Sequence, residues 1–205
     1  MIFLQPVFLL RHGETVWNVE RRMQGHRDSP LTPRGREQIL TSGMEIVKQL
    51  ESPQEALIAH SDLGRAKDSA NLLHSVLGAP LLAVPELREM ALGPWEGLTK
   101  DVIERDWGPS RHTFWQEPHK HITLEGAESI EVVQKRTLKA ILTLVQNHKG
   151  RPLVIVSHGV ALGCLMAALE KRPLKDLWKD RVVNHGVTQT IGVYEKEGEV
   201  SFQRL

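Results

Sequence analysis

The sequence predicts an α/β domain with a mainly parallel central sheet and at least one antiparallel edge strand. Three observations carry that expectation. Short, uninterrupted apolar runs recur at Pro6-Val7-Phe8-Leu9-Leu10, Ala56-Leu57-Ile58-Ala59-His60 and Pro152-Leu153-Val154-Ile155-Val156, as expected of strands covered on both faces. Segments of helical spacing lie between them, so strand and helix alternate. Near the end, residues 189–194 and 200–203 flank the turn-like Glu195-Lys196-Glu197-Gly198-Glu199 and read as a closing hairpin.

Each element has its own signal. Residues 1–10 are largely apolar but lack a basic leader and a small-residue cleavage site, and they run straight into Arg11-His12; a first buried strand explains them better. Thr32 is a candidate cap, and Pro33 opens a helix reaching about Leu50. Ser61-Asp62 precede a second helix ending near Gly78, and residues 81–84 form a short strand. An amphipathic segment over about 128–148 leads into the 152–156 strand and then an apolar helix over about 160–170. Residues 91–124 break the alternation: Gly93-Pro94, Gly108-Pro109, three tryptophans (Trp95, Trp107, Trp115) and three histidines (His112, His119, His121) sit in a weakly periodic stretch. The expected organisation is one domain over 1–205 with a lid-like insertion at about 91–124.

With 205 residues the chain can close one core. At 40% hydrophobic, 25% charged and a net charge of +1, it favours neither disorder nor a broad nucleic-acid surface, so any anion site must be local. The single cysteine, Cys164, excludes an internal disulfide, sits in an apolar helical stretch and points to a cytoplasmic protein. No segment has the ~18 apolar residues of a membrane span.

Chemistry concentrates at strand ends, beyond which ligands bind in doubly wound sheets. One strand ends in Arg11-His12-Gly13 and another in Ser157-His158-Gly159, so the fold would bring two histidines to one rim from opposite ends of the chain. The glycines permit a sharp turn and close backbone approach to a ligand. Arg65 stands near a helix start, where Arg11 and Arg65 together would clamp a phosphate by forked hydrogen bonds. A proton donor is expected among Glu86, Glu89 and Glu96, and spacing alone does not choose between them. Asp28-Ser29-Pro30-Leu31-Thr32-Pro33 reads as a turn and helix entry, and Glu14 as a loop-holding charge. His112, His119 and His121 lack a carboxylate or cysteine at ligand spacing, so no metal is expected.

Arg11-His12-Gly13-Glu14-Thr15, with Trp17-Asn18, Gln24-Gly25 and Asp28-Ser29-Pro30-Leu31-Thr32, closely resembles the opening signature of the histidine phosphatase superfamily, the phosphoglycerate mutase-like proteins. The resemblance continues through Ser61-Asp62-Leu63-Gly64-Arg65-Ala66, Leu87-Arg88-Glu89, Gly93-Pro94-Trp95-Glu96-Gly97 and Val156-Ser157-His158-Gly159, and so spans nearly the whole chain in order.

It implies a phosphoglycerate mutase-like three-layer α/β/α sandwich. It implies that His12 is the nucleophile that becomes phosphohistidine, that Arg11, Arg65 and His158 complete the phosphate pocket, and that Glu89 is the proton donor. Asn18, Gln24 and Gly25 resemble further phosphate and substrate contacts. No metal or other cofactor is implied. One block departs: where the family commonly reads Gly-Glu-Ser, this chain has Gly126-Ala127-Glu128-Ser129, with Arg136 at the usual distance downstream, which bears on substrate choice.

The leading expectation is a metal-independent phosphomonoester hydrolase of the histidine acid-type, acting on a small phosphorylated metabolite. The alternative is a 2,3-bisphosphoglycerate-dependent phosphoglycerate mutase; such enzymes usually carry a longer insertion and tail, whereas this chain reaches Leu205 soon after its hairpin. A non-catalytic phospholigand-binding protein is the remote alternative. Neither nucleic acid nor membrane is an expected partner, and a homodimer is left open. Trp95, Trp107 and Trp115 suggest an apolar lid suited to esters larger than phosphoglycerate.

Overall fold

The computed structural model describes residues 1–120, 124–179 and 184–205. Six strands form one sheet: β1 (Ile2–Arg11), β2 (Leu57–His60), β3 (Leu81–Ala83), β4 (Leu153–Ser157), β5 (Thr188–Lys196) and β6 (Glu199–Arg204). Their order is β3-β2-β4-β1-β5-β6. The first four run parallel, whereas β5 pairs antiparallel with both β1 and β6 and closes the sheet as the expected hairpin.

The helices are α1 (Val16–Val19), α2 (Pro33–Val47), α3 (Gly64–Leu77), α4 (Lys100–Gln116), α5 (Ile130–Asn147) and α6 (Gly159–Leu169). Alternation along β1 sorts them into layers. Val7 and Leu9 pack with Ile141 and Leu144 of α5 and Leu162 and Leu165 of α6, whereas Phe8 and Leu10 pack with Ile39 of α2 and Ala70 and Leu73 of α3. The sheet is therefore covered on both sides, which is why its central strands carry no polar alternation. Truncating one of these fully buried residues, Ile58→Ala for example, should cost roughly 2–5 kcal/mol.

Local signals account for most boundaries. The Thr32 hydroxyl accepts the Gly35 N–H at the start of α2, where Pro33 needs no partner, and Ser129 caps α5 by accepting from Val132. Gly78 ends α3 with φ +70. β1 starts earlier than its apolar run suggests and carries Pro6 inside it. This is tolerated because pairing with β4 begins only at Val7, and the pairing with β5 is irregular between Phe3 and Gln5.

The region 91–124 differs most from expectation. It holds a 17-residue helix, α4, with a kink at Trp107 (φ −137°, ψ 30°) and Pro109 inside it. Gly108-Pro109 hides the helical period in the sequence. Ile103 and Phe114 anchor α4 in a third apolar cluster with Trp95, Val133 of α5 and Val160 and Cys164 of α6. Sandwiched between that cluster and the sheet, α6 has nine of its eleven residues buried. Among the described residues no helix is long and apolar enough to cross a membrane.

Candidate active site

Register places the two strand-end histidines together. Arg11 of β1 is paired with Ser157 of β4, and the His12 N–H donates to the Ser157 carbonyl at 3.0 Å. The next residues, His12 and His158, leave the sheet side by side with ring centroids 5.2 Å apart. The turn after β1 needs its glycine: a Cβ on Gly13 would stand 2.3 Å from the Gly35 carbonyl oxygen at the start of α2. β2 ends one strand further along, and α3, which follows it, carries Arg65 in its first turn.

The hydrogen bonds around His12 select one tautomer. Its Nδ1 lies 2.7 Å from the Gly13 carbonyl, which can only accept, so the proton belongs on Nδ1. Its Nε2 faces the Arg65 Nε–H at 3.3 Å and keeps a lone pair. Burial, and then the cations Arg65 and Arg11, hold His12 well below the ordinary histidine range. The result is a neutral imidazole with one basic nitrogen beside two guanidinium groups. His158, at the start of α6, is kept neutral by the same causes; its Nε2 meets the Ser61 hydroxyl at 2.8 Å, and its Nδ1 is buried with no partner among the described residues.

Arg65 is fully buried and held on all sides: one terminal nitrogen donates to the Arg27 carbonyl (2.8 Å) and the Asp28 carboxylate (3.0 Å), and the other to the Gly25 carbonyl (2.8 Å). Asp28 also accepts the Arg65 backbone N–H at 3.3 Å. The Asp28–Pro33 segment enters α2 as expected, but the turn itself lies just before it at residues 25–27, and Asp28 is the anchor of Arg65. Burial brings Arg11 down to about 10, while the Glu89 carboxylate acts in the opposite direction, and the guanidinium stays charged at neutral pH.

The three candidate acids occupy different places. Glu86 is exposed on a short turn after β3. Glu96 accepts backbone N–H groups from His26 and Leu92 and ties two loops together. Only Glu89 is buried and lines the cavity with His12, its oxygens accepting N–H groups from Met90, Val160 and Ala161 at 3.0–3.2 Å. The last two belong to the first turn of α6, where a helix favours negative charge. Behind it, Arg136 of α5 forks onto Glu128 and donates to the carbonyls of Glu86, Arg88 and Glu89, so the departing Gly126–Ser129 block still delivers a carboxylate and an arginine to this loop.

These groups surround a cavity of about 280 Å³. Arg11, His12, Asn18, Gln24, Gly25, Arg65 and Glu89 line it, and the fully buried His158 lies next to His12. Asn18 uses its Oδ1 to cap α1 against Thr15, and Gln24 is buried with its Oε1 unpartnered among the described residues. The cavity also holds groups that sequence reasoning missed: Arg21, Arg22, Lys100, Trp178 and His185. None belongs to a motif; only their convergence in space reveals them.

Trp95 is buried in the third cluster and Trp107 sits at the kink of α4, so of the three expected lid tryptophans only Trp115 reaches the cavity. Glu14 accepts from the Thr32 hydroxyl and holds the loop against α2. His112 and His119 are exposed and away from the cavity, and His121 lies outside the described residues. Among the described residues, no group of three or more His, Cys, Asp or Glu side chains is arranged to hold a metal ion.

Comparison with known proteins places this geometry. The profile of the histidine phosphatase superfamily (branch 1) matches residues 7–203. The chain is 32% identical over 179 residues to the "Probable phosphoglycerate mutase GpmB" of Escherichia fergusonii, covering 85% of this chain and 78% of that protein. Among solved structures, it is similar to Bacillus stearothermophilus YhfR (38% identity, TM-score 0.87, 98% and 95% of the two chains). It is also similar to a mycobacterial glucosyl-3-phosphoglycerate phosphatase complexed with VO3 (29%, 0.86, 98% and 97%) and to the α-ribazole phosphatase of Shigella flexneri (28%, 0.79, 98% and 96%).

Proposed function

The chain belongs to the histidine phosphatase superfamily, and we propose that within it this protein is a metal-independent phosphomonoester hydrolase acting on a small phosphorylated metabolite. The observation that carries the reading is the state of His12: a buried neutral imidazole, its Nδ1 proton committed to Gly13 and its Nε2 lone pair beside Arg65, in a cavity that also holds Glu89. Phosphatases among the similar structures support it.

In this mechanism His12 Nε2 attacks phosphorus as the ester P–O bond breaks, and Glu89 gives its proton to the leaving oxygen. Water then attacks the phosphohistidine; the P–N bond breaks, the electron pair returns to Nε2, and Glu89 takes the water proton. Arg11 and Arg65 bear the charge of the equatorial oxygens with His158. Asn18, Gln24 and the Gly25 backbone orient the ester. The aromatic wall of Trp115 and Trp178 suits leaving groups with an apolar face. The single buried Cys164, whose thiol burial pushes up, suits a reducing cytoplasm.

The test is hydrolysis of an aryl phosphate: turnover retained in EDTA and lost in His12→Ala supports the reading, and turnover that needs an added divalent cation sinks it. A second reading, phosphoglycerate mutase, is favoured by the GpmB relatives and by the cationic Arg21, Arg22 and Lys100 lining the cavity. It prevails if 3-phosphoglycerate is isomerised faster than phosphate is released.

A further inference from the structure

Two other imidazole rings stand close to His12. His158 stands 5.2 Å from it, centroid to centroid, and His185 stands 5.6 Å away, the two tilted against it by 56° and 55°. The attacking imidazole thus has two ring neighbours, one from the start of α6 and one from the segment leading into β5. Each neighbouring ring has a buried nitrogen with no partner among the described residues, Nδ1 in His158 and Nε2 in His185. A buried imidazole nitrogen left unpaired costs free energy unless a ligand completes it. Burial, followed by Arg11 and Arg34, lowers His185 to about 3, so it lines the cavity as a neutral imidazole.

Its place is built, not incidental. Residues 184–187 form a turn in which the Val187 N–H donates to the Asn184 carbonyl. Gly186 follows His185 with φ +68, and a Cβ there would meet Gln38 of α2 at 2.7 Å. The Gly186 carbonyl accepts from the Ser42 hydroxyl, and its N–H donates to the Arg11 carbonyl at 3.3 Å. Helix α2 and the end of β1 therefore clamp the residue next to His185.

We propose that His185 is a further catalytic residue, its Nε2–H donating to an oxygen of the transferring phosphoryl group. This rests on His12 being the phosphoryl acceptor.

The experiment measures orthovanadate inhibition together with aryl phosphate turnover in the unaltered protein, His185→Phe and His185→Gln. Phe keeps a ring but no nitrogen, and Gln keeps an amide near the reach of Nε2. Loss of one donor to a phosphoryl-like group should weaken vanadate about tenfold or more in His185→Phe and lower kcat rather than raise KM. His185→Gln should recover most of both. If His185→Phe does not fold, His185→Asn, whose amide is too short, should show the same loss. Vanadate inhibition within about twofold of the unaltered protein in the Phe variant, or a Gln variant as weak as Phe, would overturn the proposal. If the unaltered protein neither binds vanadate nor turns over through His12, the phosphatase reading falls and His185 with it; intact His12-dependent turnover that ignores His185 removes only the latter.

Discussion

At position 12 the Gly13 carbonyl takes the ring proton and Arg65 faces the other nitrogen, so the direction of Arg65 sets the nucleophile as much as its charge does. That direction depends on Asp28. Asp28→Asn should leave the fold intact but lower kcat/KM for an aryl phosphate by about tenfold, because a guanidinium freed of its carboxylate can swing away from His12. Unchanged kinetics would show that the Gly25 and Arg27 carbonyls suffice. Glu89→Gln should slow esters with poor leaving groups most; an equal effect on all esters would remove Glu89 from proton donation. His12, His158, Arg11 and Arg65 were legible in the sequence because each sits next to a strand end or helix start. Asp28 and His185 were not, since one looks like an ordinary turn residue and the other stands outside every motif, and only the fold brings them to the pocket.

The strands and the long helices were legible as elements because apolar runs and caps are local signals, and the alternation they produce fixes a parallel sheet. α4 escaped because Gly108-Pro109 interrupts its period, although tertiary contacts of Ile103 and Phe114 hold it as a helix. The junction of β1 with α2 illustrates how tightly elements meet at the site. Gly13 and Gly35 approach so closely that Gly13→Ala should destabilise the protein by about 1–3 kcal/mol in urea unfolding, and by a comparable amount if Gly35 is changed instead. A neutral result would mean that the start of α2 can slide. The loop carrying Glu89 depends likewise on α5: Arg136→Leu removes the donors to three of its carbonyls and should lower kcat with little effect on the cooperativity of unfolding. Unaltered kcat would place the support of Glu89 in α6 alone.

For the molecule as a whole, the buried histidines link stability to pH. His12 and His158 bind protons well below the ordinary histidine range when folded, whereas the unfolded chain takes them up near the ordinary value of about 6.5. Below that pH the unfolded state holds more protons, so stability is complete above it and falls as the medium acidifies, by up to about 1.4 kcal/mol per pH unit for each histidine. Urea unfolding at pH 7.5 and 5.5 should show the decline, and equal midpoints would mean that the two rings titrate freely. The adjacency of β1 and β4 has a kinetic consequence as well. Their partnership joins the two ends of a long stretch of chain, so it is an entropically costly and late closure. His158 comes beside His12 only once that closure is made. Recovery of turnover after dilution from denaturant should therefore lag behind the return of helix and report the last cooperative step of folding.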